Sequence, residues 1–439
     1  MPKANLRLRD LLLLAGLAAA TPALGAPSSN EVNDAYPQAY KLYVDLHQHP
    51  ELSGSETQTA TKLAAALRTQ GYTVTEHIGG TGLVAILKNG EGPTIMLRTE
   101  LDALPVEEKT GLAFASKVRT KDSNGRDVGV GHMCGHDVHM SALVAAAGIM
   151  ARSKDSWHGT LMLVGQPAEE TISGATAMIR DGLFTKFPRP DAAVALHVGN
   201  ELAAGKVGIV SGIYNTNADS IRITIYGKGG HGSAPHTAVD PIVTAARTIM
   251  ALQTIPSREV KPGELAVVTV GYITAGTKNN IIPDQAEMGL TVRTYKQDVR
   301  KQVLAAITRI INAEAQAANA PRPPSIDRYE MTDAVYNDQA LIERLRPALE
   351  NAIGKDNLVA DEPITASEDF SAFLAEKIPG LYLSLGGADP DKLAQAKAAG
   401  THLPSNHSSL FAPDVDPALH TAIATEVAML RTLLKPGVT

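Results

Sequence analysis

The sequence predicts an α/β protein in which one doubly covered α/β domain is interrupted by a smaller inserted domain. The chain of 439 residues is longer than one hydrophobic core usually fills. Short apolar runs alternate with amphipathic helical patterns, which is typical of a sheet covered by helices on both faces. The pattern changes to alternating strands between residues 216 and 328, and the first pattern resumes over 329–439.

Residues 1–26 are predicted to form a secretory signal peptide. Basic residues within 3–9 precede an apolar run at 11–20, and cleavage is expected after Gly25 or Ala26. The alternative is an uncleaved membrane anchor, although the apolar run is short for a membrane span. We therefore expect an exported protein with no membrane association after cleavage, periplasmic in a Gram-negative host.

The first part of the larger domain, residues 31–215, follows a polar start at 27–33 that we expect to be flexible. Apolar residues at helical or strand spacing predict helices at 56–70 and 138–151 and strands at 83–87, 94–98, 160–164 and 192–197. Asp137 is expected to cap the second helix. The second part of this domain is predicted to contain a helix at 341–353, a strand at 381–385 and a helix at 417–434.

The inserted domain reads as a β-α-β-β-α unit of ferredoxin-like kind. Its predicted strands are 220–226, 265–273 and 286–295, and its predicted helices start at Asp240-Pro241 and at Asp298. A proline-rich segment at 321–324 is expected to close it.

Cys134 is the only cysteine of the chain, and one glycine separates it from His136. A thiolate and an imidazole at this spacing can bind one borderline metal ion such as Zn²⁺. A lone cysteine is more often a small buried apolar residue, so the metal hypothesis needs further ligands elsewhere in the chain.

Candidate ligands follow several predicted strands. Asp102, the pair Glu169-Glu170 and His197 lie at strand ends, and His407 lies in a polar loop. Each could be an ordinary surface or structural group, but open α/β sheets bind ligands at such strand ends. Together these groups predict a site for one or two divalent ions, with one glutamate of the pair free for proton transfer and Asp102 orienting a histidine ligand.

The formal net charge of −6 is spread evenly along the chain, and no basic stripe with interleaved aromatic residues is present. This pattern argues against nucleic-acid binding.

Six ordered motifs resemble those of the aminoacylase/carboxypeptidase metallopeptidase family, in its branch of hippurate hydrolases, N-acyl-amino-acid amidohydrolases and indoleacetyl-amino-acid hydrolases. The motifs are Arg98 to Pro105, His132 to Asp137, Glu169-Glu170, Ala195 to His197, Gly229 to His231 and Asn406-His407. The resemblance implies that Cys134 lies between two metal ions and that His136, Glu170, His197 and His407 complete the ligand set.

The resemblance also implies roles for residues outside the ligand set. Glu169 would be the general base and acid, and His231 would reach the substrate's developing oxyanion, in the same or the neighbouring subunit. Asn280 and Arg293 would hold the substrate's carboxylate end. The inserted domain would be a lid that also forms a homodimer or larger assembly. The sequence departs from the commoner pattern at Glu100, Thr171 and Ile281, none of which is an implied ligand.

The sequence therefore predicts a metal-dependent amidohydrolase that cleaves a small N-acyl-amino acid or related amide with metal-activated water. The donor set does not choose among Zn²⁺, Mn²⁺ and Co²⁺. A dipeptidase or carboxypeptidase of the same family, and a periplasmic metal-dependent binding protein without turnover, remain alternatives.

Overall fold

The computed structural model describes residues 25–434. Eleven helices and eighteen strands occur in this part of the chain. The helices are α1 (Ser29–Gln48), α2 (Thr57–Thr69), α3 (His136–Arg152), α4 (Gly174–Arg180), α5 (Leu183–Lys186), α6 (Pro241–Leu252), α7 (Gln297–Ala317), α8 (Gln339–Ile353), α9 (Ser371–Ala375), α10 (Pro390–Ala399) and α11 (Val415–Leu433). The first nine strands are β1 (Thr73–Ile78), β2 (Gly82–Asn89), β3 (Thr94–Glu100), β4 (Arg119–Lys121), β5 (Asp127–Gly129), β6 (Gly159–Gln166), β7 (Ala192–Ala203), β8 (Val207–Ile209) and β9 (Gly212–Ile213). The other nine are β10 (Asn217–Tyr226), β11 (Gly230–His231), β12 (Ala266–Ala275), β13 (Ile281–Ile282), β14 (Gln285–Thr294), β15 (Ser325–Thr332), β16 (Tyr336–Asn337), β17 (Leu358–Ala360) and β18 (Gly380–Ala388).

The larger unit is built on an eight-stranded mixed sheet in the order β1-β2-β6-β3-β7-β18-β8-β17. Neighbouring strands among β6, β3, β7 and β18 pair in parallel. Helices α1, α3 and α11 pack over one face, and a second cluster of buried apolar residues covers the other. The predicted doubly covered α/β fold is confirmed.

A separate four-stranded antiparallel sheet, β12-β14-β10-β15, is formed by the residues of the predicted insertion. Helices α6 and α7 contact its strands over an apolar cluster that includes Ile221, Ile223 and Val292. Asp240 caps α6 as predicted, because its carboxylate accepts hydrogen bonds from the backbone N–H groups of Ile242 and Val243.

The inserted unit contains a fourth strand that the sequence pattern did not predict. β15 pairs antiparallel with β10 and extends to Thr332, past the predicted boundary at residue 328. Its sequence is mostly polar and follows several prolines, so it lacks the alternating apolar pattern by which a strand is predicted. Pairing with β10, and not local propensity, stabilises this strand. The unit is therefore β-α-β-β-α-β.

The expectation of a flexible start at residues 27–33 is wrong. Helix α1 begins at Ser29, with a capping box in which Ser28 and Glu31 bind each other's backbone N–H groups. Glu31 also accepts hydrogen bonds from Arg431 of the last helix, which ties the two ends of the described chain together. The predicted signal peptide, apart from Gly25 and Ala26, lies outside the described residues. No helix between residues 25 and 434 is both long and apolar enough to span a bilayer.

Candidate metal centre and active site

The chemically active side chains meet at one edge of the large sheet. Asp102 follows β3, the pair Glu169-Glu170 follows β6, and His197 lies within β7. These strands run parallel, so their carboxyl ends share an edge of the sheet, where open α/β folds bind ligands. The topology thus brings together residues that lie far apart in the sequence.

The Cys-Gly-His motif forms the entry to helix α3. Gly135 has a left-handed backbone (φ +81°), and a Cβ there would lie 2.3 Å from a methyl carbon of Val198. Only glycine fits this turn without strain. The helix begins at His136 and Gly135 is its cap, so the expectation that Asp137 caps it is wrong. Asp137 instead bonds the buried His47 at 2.7 Å.

The predicted ligand atoms converge in the folded chain. Cys134 Sγ lies 3.4 Å from His197 Nε2. Glu170 lies between two imidazoles, with Oε2 3.2 Å from His407 Nε2 and Oε1 3.9 Å from His136 Nε2. One atom from each of Cys134, His136 and Glu170 lies within 4.8 Å of the others.

Asp102 supports this cluster from behind. Its backbone carbonyl oxygen lies 2.8 Å from His136 Nδ1, which leaves Nε2 of that ring facing Glu170. Its carboxylate accepts hydrogen bonds from the Ser53 hydroxyl and the backbone N–H of Glu170. Asp102 therefore orients one predicted ligand through its main chain and positions a second through its side chain.

The cluster suits divalent cations. His136 Nε2 and Glu170 Oε1 are buried without a hydrogen-bond partner, which is costly unless a group not belonging to the chain binds them. Burial and the nearby Glu170 and Glu169 raise the pKa of Cys134 well above its usual range, so a thiolate there needs adjacent positive charge. Burial and the neighbouring His139 lower the pKa of His197, which favours the neutral imidazole that binds metals.

Glu169 lies beside the cluster and faces other carboxylates. Burial, followed by the charges of Glu368 and Glu170, raises its pKa well above the usual range. Bound cations would oppose this rise. A buried carboxyl group whose pKa is raised by its neighbours and lowered by bound cations is suited to accept and return a proton.

The cluster opens into a cavity of about 880 Å³. Cys134, Glu169, Glu170, His197 and His407 line it. The inserted unit contributes the cation Arg293 to its lining.

The structure does not bring His231 or Asn280 to this cavity. His231 belongs to the short ladder β11-β13, in which it pairs with Ile281, the residue after Asn280. Both side chains are exposed, and the His231 ring bonds Ser233. Within one chain, these two predicted residues lie together but apart from the predicted metal ligands.

A buried polar network beneath the site was not predicted. The Arg98 guanidinium is fully buried and pairs with Glu100, Glu368 and Asp369. Glu100 also bonds His139, whose other nitrogen accepts a hydrogen bond from the Val198 backbone. His139 is thus fully bonded by the protein. The acidic pair at 368–369 resembles ordinary surface charge in the sequence, so only its burial reveals its role.

Comparison with known proteins agrees with this geometry. Residues 96–404 match the profile described as peptidase family M20/M25/M40. The chain is 39% identical over 349 residues to N-acetyl-L-cysteine deacetylase of Bacillus subtilis, covering 78% of each chain. It is 37% identical to hippurate hydrolase of Campylobacter jejuni, covering 79% of this chain and 88% of that one.

A solved structure shares the same fold. The Bacillus subtilis YXEP protein, a dinuclear metal-binding peptidase of the M20 family, is 28% identical and superposes with a TM-score of 0.72. The superposition covers 91% of this chain and 98% of that one. With matching motifs, fold and ligand cluster, the chain belongs to the metal-binding hydrolases of peptidase family M20/M25/M40.

Proposed function

We propose that this hydrolase cleaves the amide bond of N-acyl-amino acids. The observation that carries the proposal is the placement of Glu169, not needed as a ligand, beside the cluster of Cys134, His136 and Glu170 in a cavity that also contains Arg293. An N-acyl-amino acid offers a carboxylate for the arginine and an amide carbonyl for the cluster. The deacetylase and hippurate hydrolase relatives support this substrate class.

The residues that would hold the divalent ions are Cys134, His136, Glu170, His197 and His407. Divalent ions bound there would polarise the amide carbonyl and lower the pKa of water. The Glu169 carboxylate accepts the proton that the attacking water loses. It then delivers this proton to the amide nitrogen as the carbon–nitrogen bond breaks, which releases a carboxylic acid and a free amino acid.

Replacing the proposed base tests this assignment. Glu169→Gln keeps the shape of the side chain but cannot accept the proton, so turnover of N-acetyl-methionine should fall by at least about 10²-fold. Metal content should be unchanged. Glu343→Gln on the outer face of α8 is the control, because its side chain is exposed on the protein surface. Near-normal turnover in Glu169→Gln would refute the role.

Metal stoichiometry tests the ligand set. Cys134→Ala should bind fewer equivalents of Zn²⁺, Mn²⁺ or Co²⁺ per chain than the parent protein, measured by elemental analysis after dialysis. Unchanged stoichiometry would remove Cys134 from the ligand set. Adding dipeptides to the substrate panel separates the peptidase alternative, and stoichiometric metal without any turnover would favour a binding protein.

We also propose that the inserted unit is a lid that forms a symmetric dimer and that His231 and Asn280 serve the partner's active site. Their separation from the cavity of their own chain supports this arrangement. Exposed apolar side chains on α6 and on the sheet-edge strand β12 supply a surface for pairing, namely Val243, Met250, Tyr272 and Ile273.

Mixing two inactive variants tests the shared site. If His231 acts across the dimer, unfolding and refolding Glu169→Gln together with His231→Ala gives hybrid dimers with one intact site. Random assortment then restores about a quarter of the parental activity, since half of the dimers are hybrids. If His231 acts within its own chain, no hybrid has an intact site and activity stays at background.

We propose export to the periplasm, on the pattern of residues 1–26 described above. The test is expression of the full chain in a Gram-negative bacterium, followed by fractionation and N-terminal sequencing. A mature protein that starts at Ala26 or Pro27 in the periplasmic fraction is expected. An intact N-terminus in the cytoplasmic or membrane fraction would contradict the proposal.

A further inference from the structure

A second cavity of about 730 Å³ adjoins the active-site cavity. Its walls are helix α10, the end of strand β7 and the loop that leads to His407. Two residues, Glu201 and Ser405, line both cavities, so the two cavities are neighbours on either side of these side chains.

The junction is built on the same segments that hold the predicted metal ligands. His197, Gly199 and Glu201 alternate along β7 and therefore point to one face of the strand. A Cβ at Gly199 would lie 2.6 Å from Glu201 Oε2, so the missing side chain makes room for the carboxylate. Ser405 stands two residues before His407. The second cavity thus begins at segments that also carry two of the predicted metal ligands, His197 and His407.

The rest of this wall is held in place by hydrogen bonds. Asn406 Nδ2 binds the backbone carbonyl oxygens of Cys134 at 3.1 Å and Val198 at 3.0 Å. Asn200 is buried and its Nδ2 binds the Pro404 carbonyl oxygen at 2.9 Å. Helix α10 begins at an Asp389 cap and ends at Gly400 in a left-handed conformation. The wall is an ordered part of the fold.

The walls of the second cavity combine an apolar patch with polar side chains. The apolar residues Leu393, Ala396 and Leu403 line it, together with the polar residues Asn200, Lys397, Thr401, His402 and Ser405. Glu201 stands at its entrance and has no basic partner within 4.0 Å in the part of the chain between residues 25 and 434. An acyl chain that passes this carboxylate gains by burial against the apolar patch of Leu393, Ala396 and Leu403.

We propose that the second cavity is the subsite for the acyl group and that it takes an extended apolar acyl chain. This inference rests on the proposed function. Arg293 engages the amino-acid carboxylate from the inserted unit, so the acyl end extends away from that unit. A short acetyl group stays in the first cavity, and a longer chain passes Glu201 into the second.

Two lysines of α10 provide a matched pair of variants. Lys397 lines the cavity and Lys392 does not, although both side chains are exposed on the same helix. Lys397→Trp fills the space, and Lys392→Trp is the control. The substrates are N-acetyl-, N-octanoyl- and N-adipoyl-methionine, assayed by methionine release from metal-loaded protein.

For Lys397→Trp we expect kcat/KM on N-octanoyl-methionine to fall about 15-fold or more. Each methylene that loses its burial lowers kcat/KM roughly fourfold, so this is the effect of displacing about two methylenes. Its kcat/KM on N-acetyl-methionine should stay within about twofold, a change smaller than the loss of one buried methylene. Lys392→Trp should alter neither value. Leu403→Ala is a second variant, and it should also lose octanoyl turnover selectively.

Binding provides a second readout that does not depend on turnover. N-octanoyl-methionine should bind Glu169→Gln more tightly than it binds Glu169→Gln/Lys397→Trp, measured by calorimetry. Equal binding to both proteins would overturn the subsite.

The remaining outcomes are distinguishable. If the parent protein hydrolyses no acyl substrate, the proposed function fails and the subsite with it. If N-acetyl-methionine is hydrolysed but Lys397→Trp changes both substrates equally or neither, only the subsite is overturned. Hydrolysis of the adipoyl substrate, with its terminal carboxylate, at the octanoyl rate would refute the preference for an apolar chain.

Discussion

Arg98 offers the sharpest test of the buried network beneath the site. Its side chain is 0% exposed, and its partners Glu100, Glu368 and Asp369 are 0%, 6% and 2% exposed. Arg98→Met keeps a similar apolar volume but leaves these carboxylates without their cation. Removing one partner of a buried ion pair costs about 3–5 kcal/mol, so we expect the free energy of unfolding to fall by this amount.

The assay uses the only tryptophan of the chain. Trp157 is fully buried in the core of the large unit, so its fluorescence reports unfolding of the unit that contains Arg98. Urea titrations are run on chelator-treated protein, which removes any contribution from metal binding. Arg119→Met is the control, since Arg119 is exposed and pairs with exposed carboxylates; it should leave the midpoint unchanged.

The pH dependence gives a second check. Without Arg98, the pKa values of the buried carboxylates rise in the folded protein, so the folded state binds more protons than the unfolded chain. The loss of stability must then grow as the pH rises, and it should be larger at pH 8 than at pH 5. A loss below about 1 kcal/mol, typical of an exposed pair, would refute the reasoning.

Three further predictions follow from single features of the fold. Glu426 is buried with an unpartnered oxygen, and burial followed by the charge of Glu100 raises its pKa; the folded protein therefore binds a proton that the unfolded chain loses. Glu426→Met should therefore raise the free energy of unfolding above pH 5. The gain should grow by about 1.4 kcal/mol per pH unit until the pH reaches the pKa of Glu426 in the folded protein. A gain that does not change with pH would contradict this prediction. Gly135→Ala should lower the free energy of unfolding by about 1–3 kcal/mol and reduce the amount of bound metal. Gly125 also has a positive φ, but a Cβ there would have no atom within 4 Å, so Gly125→Ala should keep its metal. Equal metal content in both variants would count against the role of the turn at Gly135. Removing metal with a chelator should lower the urea midpoint reported by Trp157. Adding metal back at about 100 times its Kd should raise the free energy of unfolding by about 2.7 kcal/mol. An unchanged midpoint would argue against ligands preformed in the folded state.

Local signals in the sequence were enough for most of the elements. The Asp240-Pro241 start and the apolar face of α6 depend on residues within one helix, and the predicted helix matches the structure. The same holds for the central strands, whose short apolar runs are set by burial on both faces. Strand β15 was missed because its order depends on pairing with β10, which is distant in sequence. Helix α1 was missed although its capping box of Ser28 and Glu31 is a local signal.

The same distinction between local signals and distant partners applies to the candidate site. The sequence by itself determined the family and the residue types of the donor cluster. Cys134-Gly135-His136 and Glu169-Glu170 are contiguous motifs, so their side-chain chemistry can be recognised from the sequence alone. Only the tertiary structure decided which polar groups are buried and how they face each other. It showed that His139 is fully bonded by the protein, that Arg98 neutralises carboxylates under the site, and that His231 lies away from the cavity of its own chain. The physical reason is that ligation and proton transfer depend on desolvation and on distances of a few ångströms, which parallel strands create between residues far apart in the chain.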